Sequence, residues 1–244
     1  MMVNSPLLRI EKLSKNFGGL RVIHNLSLLI PKNQIIGLIG PNGAGKTTLL
    51  NLLSGFEKPD EGQIFFHNHS LHAMQPYQIA RLGIGRTFQI VKPFIGMTVL
   101  ENAMIGALGQ NQSFPQAQKN AMEILDLLEL MYVKDLKADH LTLSDKKRLE
   151  IARALSIRPQ LLLLDEVMAG LRPTEIDRMI PTLKDFQERY SLTIIMIEHH
   201  MRAIMACCDH VVVLHQGEKL AEDTPKKIQN HPEVIKIYLG TGVC

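Results

Sequence analysis

No other stretch constrains this chain as strongly as Gly40-Pro41-Asn42-Gly43-Ala44-Gly45-Lys46-Thr47. It fits G-x-x-x-x-G-K-[ST], a bend whose backbone N–H groups turn inward around the phosphates of a nucleotide. Glycines at 40, 43 and 45 permit the turn, Lys46 can reach the outer phosphates, and the Thr47 hydroxyl can bind Mg²⁺. The flanks agree with this reading. Residues 34–39 form an apolar run expected to be a buried strand, and residues 47–54 read as a helix stopped by Gly55. Strand, glycine-rich bend and helix together set the positive end of a helix beneath the phosphates.

The 244 residues, 45% hydrophobic and 21% charged, can bury a sizeable core. A net charge of +3 with no basic stripe argues against nucleic acid as a partner. Apolar runs such as Leu161 to Leu164 and Ile194 to Ile197 are strand-length, far below the roughly 20 residues that span a bilayer. The start, Met1 to Ile10, lacks a charged segment followed by a long apolar one, so secretion is not expected and a cytosolic location is. Three cysteines, Cys207, Cys208 and Cys244, fit neither a disulfide framework nor a zinc pattern, and reduced thiols are the simplest reading.

From Leu7 to Ile30 the pattern predicts two short strands around Asn16-Phe17-Gly18-Gly19, a β edge beside the site. A strand over 63–68, a helix from Pro76 to Leu82 and a short strand from Ile84 to Gln89 follow. Between about Phe94 and Leu155 the period turns helical: Thr98-x-x-Glu101 is a capping box, and Ala117, Ala121, Ile124, Leu125 and Leu128 share one face. Short apolar strands then centre on 161–164, 193–197 and 211–214, with helical stretches between them. Such alternation points to a parallel sheet covered on both faces. No internal repeat is visible, so one phosphate loop means one nucleotide-binding unit.

Leu161 to Leu164 ends in Asp165-Glu166, where an open sheet offers its carboxyl edge to ligand. Asp165 suits Mg²⁺, and Glu166 can orient or deprotonate a water attacking the γ-phosphate; a plain helix cap is the alternative. Ile194 to Ile197 runs into Glu198-His199-His200, bringing a histidine, preferably His199, to the same edge. Gln89, expected at its strand's end, can offer an amide oxygen to the metal or the water. Phe17 can stack on adenine or simply pack in a core. His67, His69 and His72 are close in sequence but lack matching acids or thiols, which makes metal binding the lesser reading. The Cys207-Cys208 pair suits buried packing better than redox chemistry.

Taken together, these segments resemble the ATPase subunit of ABC transporters nearly end to end. The family's parts occur in order: an aromatic loop at Phe17, Walker A at 40–47, the Q-loop at Gln89, a signature segment before Ile151-Ala152-Arg153, Walker B with Glu166, and the switch histidine His199. Finer features, among them Arg86-Thr87-Phe88-Gln89, Ala169-Gly170-Leu171-Arg172-Pro173-Thr174-Glu175 and Val234 to Gly240, are similar to the branched-chain amino acid importer group. A lipid-exporting relative shares much of the pattern. The resemblance implies an α/β P-loop NTPase fold: a RecA-like core with a mostly parallel sheet, an antiparallel β edge subdomain and an inserted helical subdomain. The whole, 1–244, would be one ABC ATPase domain, with 1–93 and 155–244 as nucleotide-binding core and 94–154 as the helical signature subdomain. It further implies ATP and Mg²⁺ as cofactors. Gly40, Pro41, Asn42, Gly43, Ala44, Gly45, Lys46, Thr47 and Thr48 would bind the nucleotide with Phe17, Gln89, Thr142 and Ser144. Metal would fall to Thr47, Gln89 and Asp165, and catalysis to Glu166 and His199. Expected partners are transmembrane permease subunits, docking near residues 86–105, and a second ATPase subunit, homo- or heterodimeric. The place of action would be the cytoplasmic face of the inner membrane.

One motif departs from the family. The signature L-S-G-G-Q falls on Leu141-Thr142-Leu143-Ser144-Asp145, with neither glycine and an aspartate for the glutamine. Thr142 keeps a hydroxyl and Ser144 adds another, whereas Leu143 adds bulk and Asp145 a negative charge near a bound anion. Thr142-x-x-Asp145 also reads as a helix cap, which is compatible with both. Walker B carries Val167 where proline is usual, and Arg172 replaces an aspartate or asparagine in the D-loop. Two rival functions follow: an ATP-binding subunit with weak or no hydrolysis, working in a heterodimer, and the ATPase of a lipid exporter. A soluble ABC ATPase acting on ribosomes or DNA repair would carry two ATPase halves or a coiled-coil insert, and a GTPase would carry N-K-x-D; none of these is present.

Overall fold

The computed structural model describes residues 5–89 and 92–239. Strands β1 (Leu8–Phe17) and β2 (Leu20–Ile30) form a hairpin, longer than the two short strands expected, and β3 (Ile35–Ile39) leads through the phosphate loop into α1 (Lys46–Leu53). Next come β4 (Glu61–Phe66), β5 (His69–Ser70), α2 (Pro76–Arg81) and β6 (Ile84–Arg86). Three helices follow, α3 (Val99–Gly109), α4 (Phe114–Leu127) and α5 (Leu143–Leu155). The chain returns through β7 (Leu161–Asp165), α6 (Pro173–Tyr190), β8 (Thr193–Ile197), α7 (Met201–Cys207), β9 (His210–His215) and β10 (Glu218–Asp223), and ends with α8 (Pro225–Gln229) and α9 (Pro232–Leu239).

Two sheets result. One has four strands in the order β2-β1-β4-β5, all antiparallel. The other has six in the order β10-β9-β3-β8-β7-β6, parallel throughout except for β10 at its edge. Every residue of β3, β7 and β8 is buried, as expected of parallel strands covered on both faces. Alternation sorts their side chains. Ile36, Leu38, Leu161, Leu163, Ile195 and Ile197 face α1 and the antiparallel sheet. Their neighbours Ile35, Ile39, Leu162, Leu164, Ile194 and Met196 face the helices on the opposite side. Helix α1 is therefore sandwiched between two sheets, which fixes where its N-terminus lies.

In the helical layer Thr98 accepts from the Glu101 N–H at 3.1 Å and the Glu101 carboxylate accepts from the Thr98 N–H at 2.7 Å. Such a reciprocal cap is worth about 1 kcal/mol and starts α3 where the sequence put it. Ala117, Ala121, Ile124, Leu125 and Leu128 are all buried, so the face read from their spacing is the packed one. Strand β6 stops at Arg86 rather than at Gln89, because the chain leaves the sheet edge after the Thr87 N–H donates to the Leu163 carbonyl. The edge strand β10 has a register shift and only partly buried apolar residues, a pattern too weak to be read in advance.

Candidate functional site

Four parallel strands, β3, β6, β7 and β8, point the same way, so the residues that follow them gather at one edge: the phosphate loop, Gln89, Asp165-Glu166 and Glu198-His199. Two glycines make the loop possible. A Cβ on Gly40 (φ +152°) would lie 2.1 Å from the Leu214 carbonyl oxygen, and one on Gly45 (φ +98°) 2.7 Å from that of Val22. Pro41, Asn42, Gly43 and Ala44 complete the bend, and Ala44 is buried beside β2 and β9. Helix α1 has Gly45 as its N-cap and no side chain capping it, so the N–H groups of its first turn, Lys46, Thr47 and Thr48 among them, are left for a ligand. The Lys46 ammonium, nearly buried, donates to the Gly40 and Pro41 carbonyls at 2.7 and 3.0 Å. Burial lowers its pKa, while the charges of Glu166 and Asp165 oppose the shift.

Asp165 is 1% exposed. Its Oδ2 accepts from Arg86 at 3.4 Å and its N–H donates to the Thr87 hydroxyl at 3.1 Å, yet Oδ1 has no partner among the described residues. Burial raises the Asp165 pKa, opposed first by Arg86. A buried carboxylate oxygen left without a donor fits a cation ligand. Thr47, Gln89 and Asp165 all line one cavity of 770 Å³, so the structure brings the three expected metal residues to the same space.

Glu166 adopts φ +53° and its carboxylate is held on both sides. Gln89 donates to Oε2 at 3.0 Å, and Nε2 of His199 lies 3.1 Å from Oε1. Gln89 sits in a bend three residues beyond β6, and its amide nitrogen, not its oxygen, meets the acid. His199 is the histidine that reaches the site, with a side chain 45% exposed. Phe17, 43% exposed at the end of β1, lies under the Lys15 ammonium at 5.1 Å and is available for stacking rather than packed in the core.

The segment at 141–145 folds as a cap. Thr142 is the N-cap of α5: its hydroxyl accepts from the Asp145 N–H at 3.2 Å and donates to the Asp145 carboxylate at 2.7 Å. Leu143 is 53% exposed and Ser144 half-buried. This segment is not in contact with the chain's own phosphate loop among the described hydrogen bonds. The histidines at 67, 69 and 72 are not gathered together: His67 pairs with Gln160 at 2.9 Å, the other two are exposed, and no group of three or more His, Cys, Asp or Glu placed to hold a metal occurs among the described residues. Cys207 and Cys208 are buried free thiols, with burial pushing Cys207 up to about 11 and Cys208 higher still. Cys244 and Gly240 lie outside the described residues.

Several contacts of the site were not anticipated. Arg86 bridges the Ser54 hydroxyl at 2.7 Å and Asp165. Lys147 donates to the Glu166 carbonyl at 2.9 Å, and the Glu198 carboxylate accepts from the Met168 N–H at 2.8 Å. Burial lifts both Glu198 and Glu150 to about 7. Lys147 was legible as a member of the face 147, 150, 151, 154, whose apolar members mark it as the buried side of α5. Glu198 was quoted only as a neighbour of His199. Tyr238 of α9 reaches the Gly40 backbone.

Comparison with known proteins gives the family. Residues 23–169 match the family model described as ABC transporter, and residues 218–243 match that of the branched-chain amino acid ATP-binding cassette transporter. The high-affinity branched-chain amino acid transport ATP-binding protein LivG of Escherichia coli is 38% identical, covering 98% of this chain and 99% of its own. The corresponding BraF of Pseudomonas aeruginosa is 36% identical over the same shares. A solved ATP-binding cassette of an ABC transporter superposes with a TM-score of 0.87 at 32% identity, covering 96% of this chain and 99% of that one. No helix among the described residues is long and apolar enough to cross a membrane.

Proposed function

The chain belongs to the ABC transporter family of ATP-binding subunits, and from that premise we propose that it hydrolyses ATP to power an importer of branched-chain amino acids or a related small metabolite. The substrate class is supported by the activity that the names of LivG and BraF carry, and by the match of the C-terminal residues 218–243. The observation that carries the mechanism is Glu166 held between Gln89 and His199 at the mouth of the phosphate loop.

Lys46 and the N–H groups of the loop and of α1 take the phosphates, with Thr48 and the loop residues 40–45 shaping the cradle. Binding requires Lys46 to leave the carbonyls of Gly40 and Pro41 and turn to the β- and γ-phosphates. Phe17 stacks on the adenine. Mg²⁺, when bound by Thr47, Asp165 and Gln89, supplies neutralisation of the charge spread over the transferring phosphoryl group. Glu166 accepts a proton from the attacking water as its oxygen bonds to the γ-phosphorus and the bond to the β–γ bridging oxygen breaks, giving ADP and phosphate. His199 keeps the carboxylate aimed and donates to the γ-phosphoryl oxygens.

The core, 1–93 with 155–244, and the helical layer, 94–154, act as the two parts of one cassette. Two cassettes close on ATP, the 141–145 segment of each, with Thr142 and Ser144, facing the phosphates held by the other. Transmembrane permease subunits dock in the cleft bordered by Phe88, Gln89, Ile105 and Arg153, so the protein works at the cytoplasmic face of the membrane. One observation favours a second arrangement. Because the Thr142 hydroxyl is already bonded to Asp145, a sister subunit with a regular signature would serve this chain's Walker A site better than a second copy does.

The test is Glu166→Gln in the assembled transporter. ATP hydrolysis and leucine uptake are expected to fall at least ~100-fold while ATP affinity stays within about threefold. Hydrolysis at the wild-type rate would overturn the assignment.

A further inference from the structure

We infer that Lys147 is a positioning residue for the hydrolytic carboxylate: from α5 its ammonium ties down the backbone of Glu166 and so keeps that side chain between Gln89 and His199. The inference rests on the catalytic assignment of Glu166 made above.

Lys147 is 6% exposed, an unusual place for an ammonium group, and its Nζ donates to the Glu166 carbonyl at 2.9 Å. Glu166 itself has φ +53°, a left-handed conformation that is strained for a non-glycine residue and persists only when its surroundings enforce it. Those surroundings can be named. On the amino side the Glu166 N–H donates to the Ile197 carbonyl of β8 at 3.0 Å. On the carboxyl side the carbonyl accepts from Lys147 at 2.9 Å and, more weakly, from the Ala169 N–H at 3.2 Å, and the Met168 N–H is taken by Glu198 at 2.8 Å. Both peptide groups flanking the Glu166 side chain are thereby fixed, one by the sheet and one by Lys147 of α5 together with the turn that follows. With the backbone fixed, the carboxylate can meet Gln89 at 3.0 Å and His199 at 3.1 Å without searching other rotamers.

The residue type suits the task. A leucine or methionine would fill the same space without burying charge, so packing alone does not account for a lysine here. Burial lowers the pKa of this ammonium, and the nearby carboxyl groups of Glu198, Glu150 and Glu166 oppose that shift, which makes a buried lysine tolerable here. The neighbouring Lys146 is more exposed, and no bond from it to the Glu166 turn occurs among the described hydrogen bonds.

The experiment uses the full chain in its assembled transporter and compares wild type, Lys147→Met, Lys147→Arg, the double variant Lys147→Met with Glu198→Gln, and Glu166→Gln. Steady-state hydrolysis and fluorescent-nucleotide titration are read on each. Lys147→Met is expected to lower kcat by roughly 10- to 30-fold with ATP affinity within about twofold, the split that marks lost alignment rather than lost binding. Lys147→Arg, which can donate again to the Glu166 carbonyl, is expected to return to within about threefold of wild type. Should Lys147→Met fail to fold because a buried carboxylate has lost its cation, the double variant removes that charge and carries the same comparison; its kcat is expected to stay low. Wild-type kcat in the folded methionine variant overturns the inference. So does a parallel fall of kcat and affinity that arginine does not rescue, since that is the behaviour of a packing residue. Glu166→Gln separates the two layers: an active Glu166→Gln sinks the catalytic assignment, whereas an inactive one beside a fully active Lys147→Met sinks only the role of Lys147.

Discussion

In the proposed mechanism two helices of this chain turn their N-termini toward phosphate, and those ends are capped in opposite ways. At α1 the cap is Gly45, with no side chain spent on the first turn and no acid in it. At α5 the cap is Thr142, bonded both to the N–H and to the carboxylate of Asp145, and the first turn carries that acid. Every helix begins with N–H groups lacking an intrahelical partner and a positive end of the backbone dipole. In α1 both are left for a ligand; in α5 part of them is consumed internally. The first end is a ready anion site, and its stability before nucleotide arrives comes from Lys46 folding back onto the loop carbonyls. The second is a stable helix start that must give up a hydrogen bond to serve a phosphate.

The sharpest way to break the contrast is to obstruct the open end. Gly40→Ala would push a methyl group to 2.1 Å from the Leu214 carbonyl, and no rotamer change can relieve a clash with backbone. Loss of measurable nucleotide binding is expected, with a lowered melting temperature, both read in a thermal shift assay with and without ATP. A smaller effect is expected at the closed end. Asp145→Asn keeps an acceptor for Thr142 but removes a negative charge from the segment that the proposed dimer sets against the γ-phosphate, worth about 1 kcal/mol. ATP turnover in the assembled transporter is expected to rise by roughly three- to fivefold. A fall would mean that the carboxylate serves the site.

The smallest effect concerns two buried acids, Glu150 of α5 and Glu198 after β8. Burial raises Glu198 in the folded protein from 4.5 to about 7. Between those values the unfolded chain has released a proton that the folded chain retains, so stability falls as pH rises from about 4.5 to about 7 and levels off above. Glu198→Gln should flatten that slope, leaving the share due to Glu150, which is raised to the same value by the same cause. Melting temperatures at pH 5 and pH 7.5 check this. An unchanged slope would mean that Glu198 does not titrate there.

The open end was also the more legible. A fixed spacing of Gly, Lys and Thr between an apolar strand and a helix has few structural meanings, and the acids and histidine at other strand ends follow from the geometry of a parallel sheet. The sheet-edge strand β10 was not read, because half-buried residues with a register shift leave no clean alternation. Gln89 was expected at the end of a strand and lies beyond one, since β6 ends at Arg86 and the chain leaves the sheet edge after the Thr87 N–H donates to the Leu163 carbonyl. The contacts that Arg86 and Lys147 make were missed for a different reason. Each acts on a residue 79 or 19 positions away, and a contact of that kind has no periodic trace in a sequence.

The most direct measurement is the ATP dissociation constant of Lys46→Ala against wild type, with a melting curve to confirm that both are folded. If the open helix end and its lysine grip the triphosphate, the charge-assisted bonds lost are worth about 3 kcal/mol, and affinity should fall roughly 100-fold. A folded Lys46→Ala protein that binds ATP as tightly as wild type would contradict the assignment of the loop as the nucleotide site.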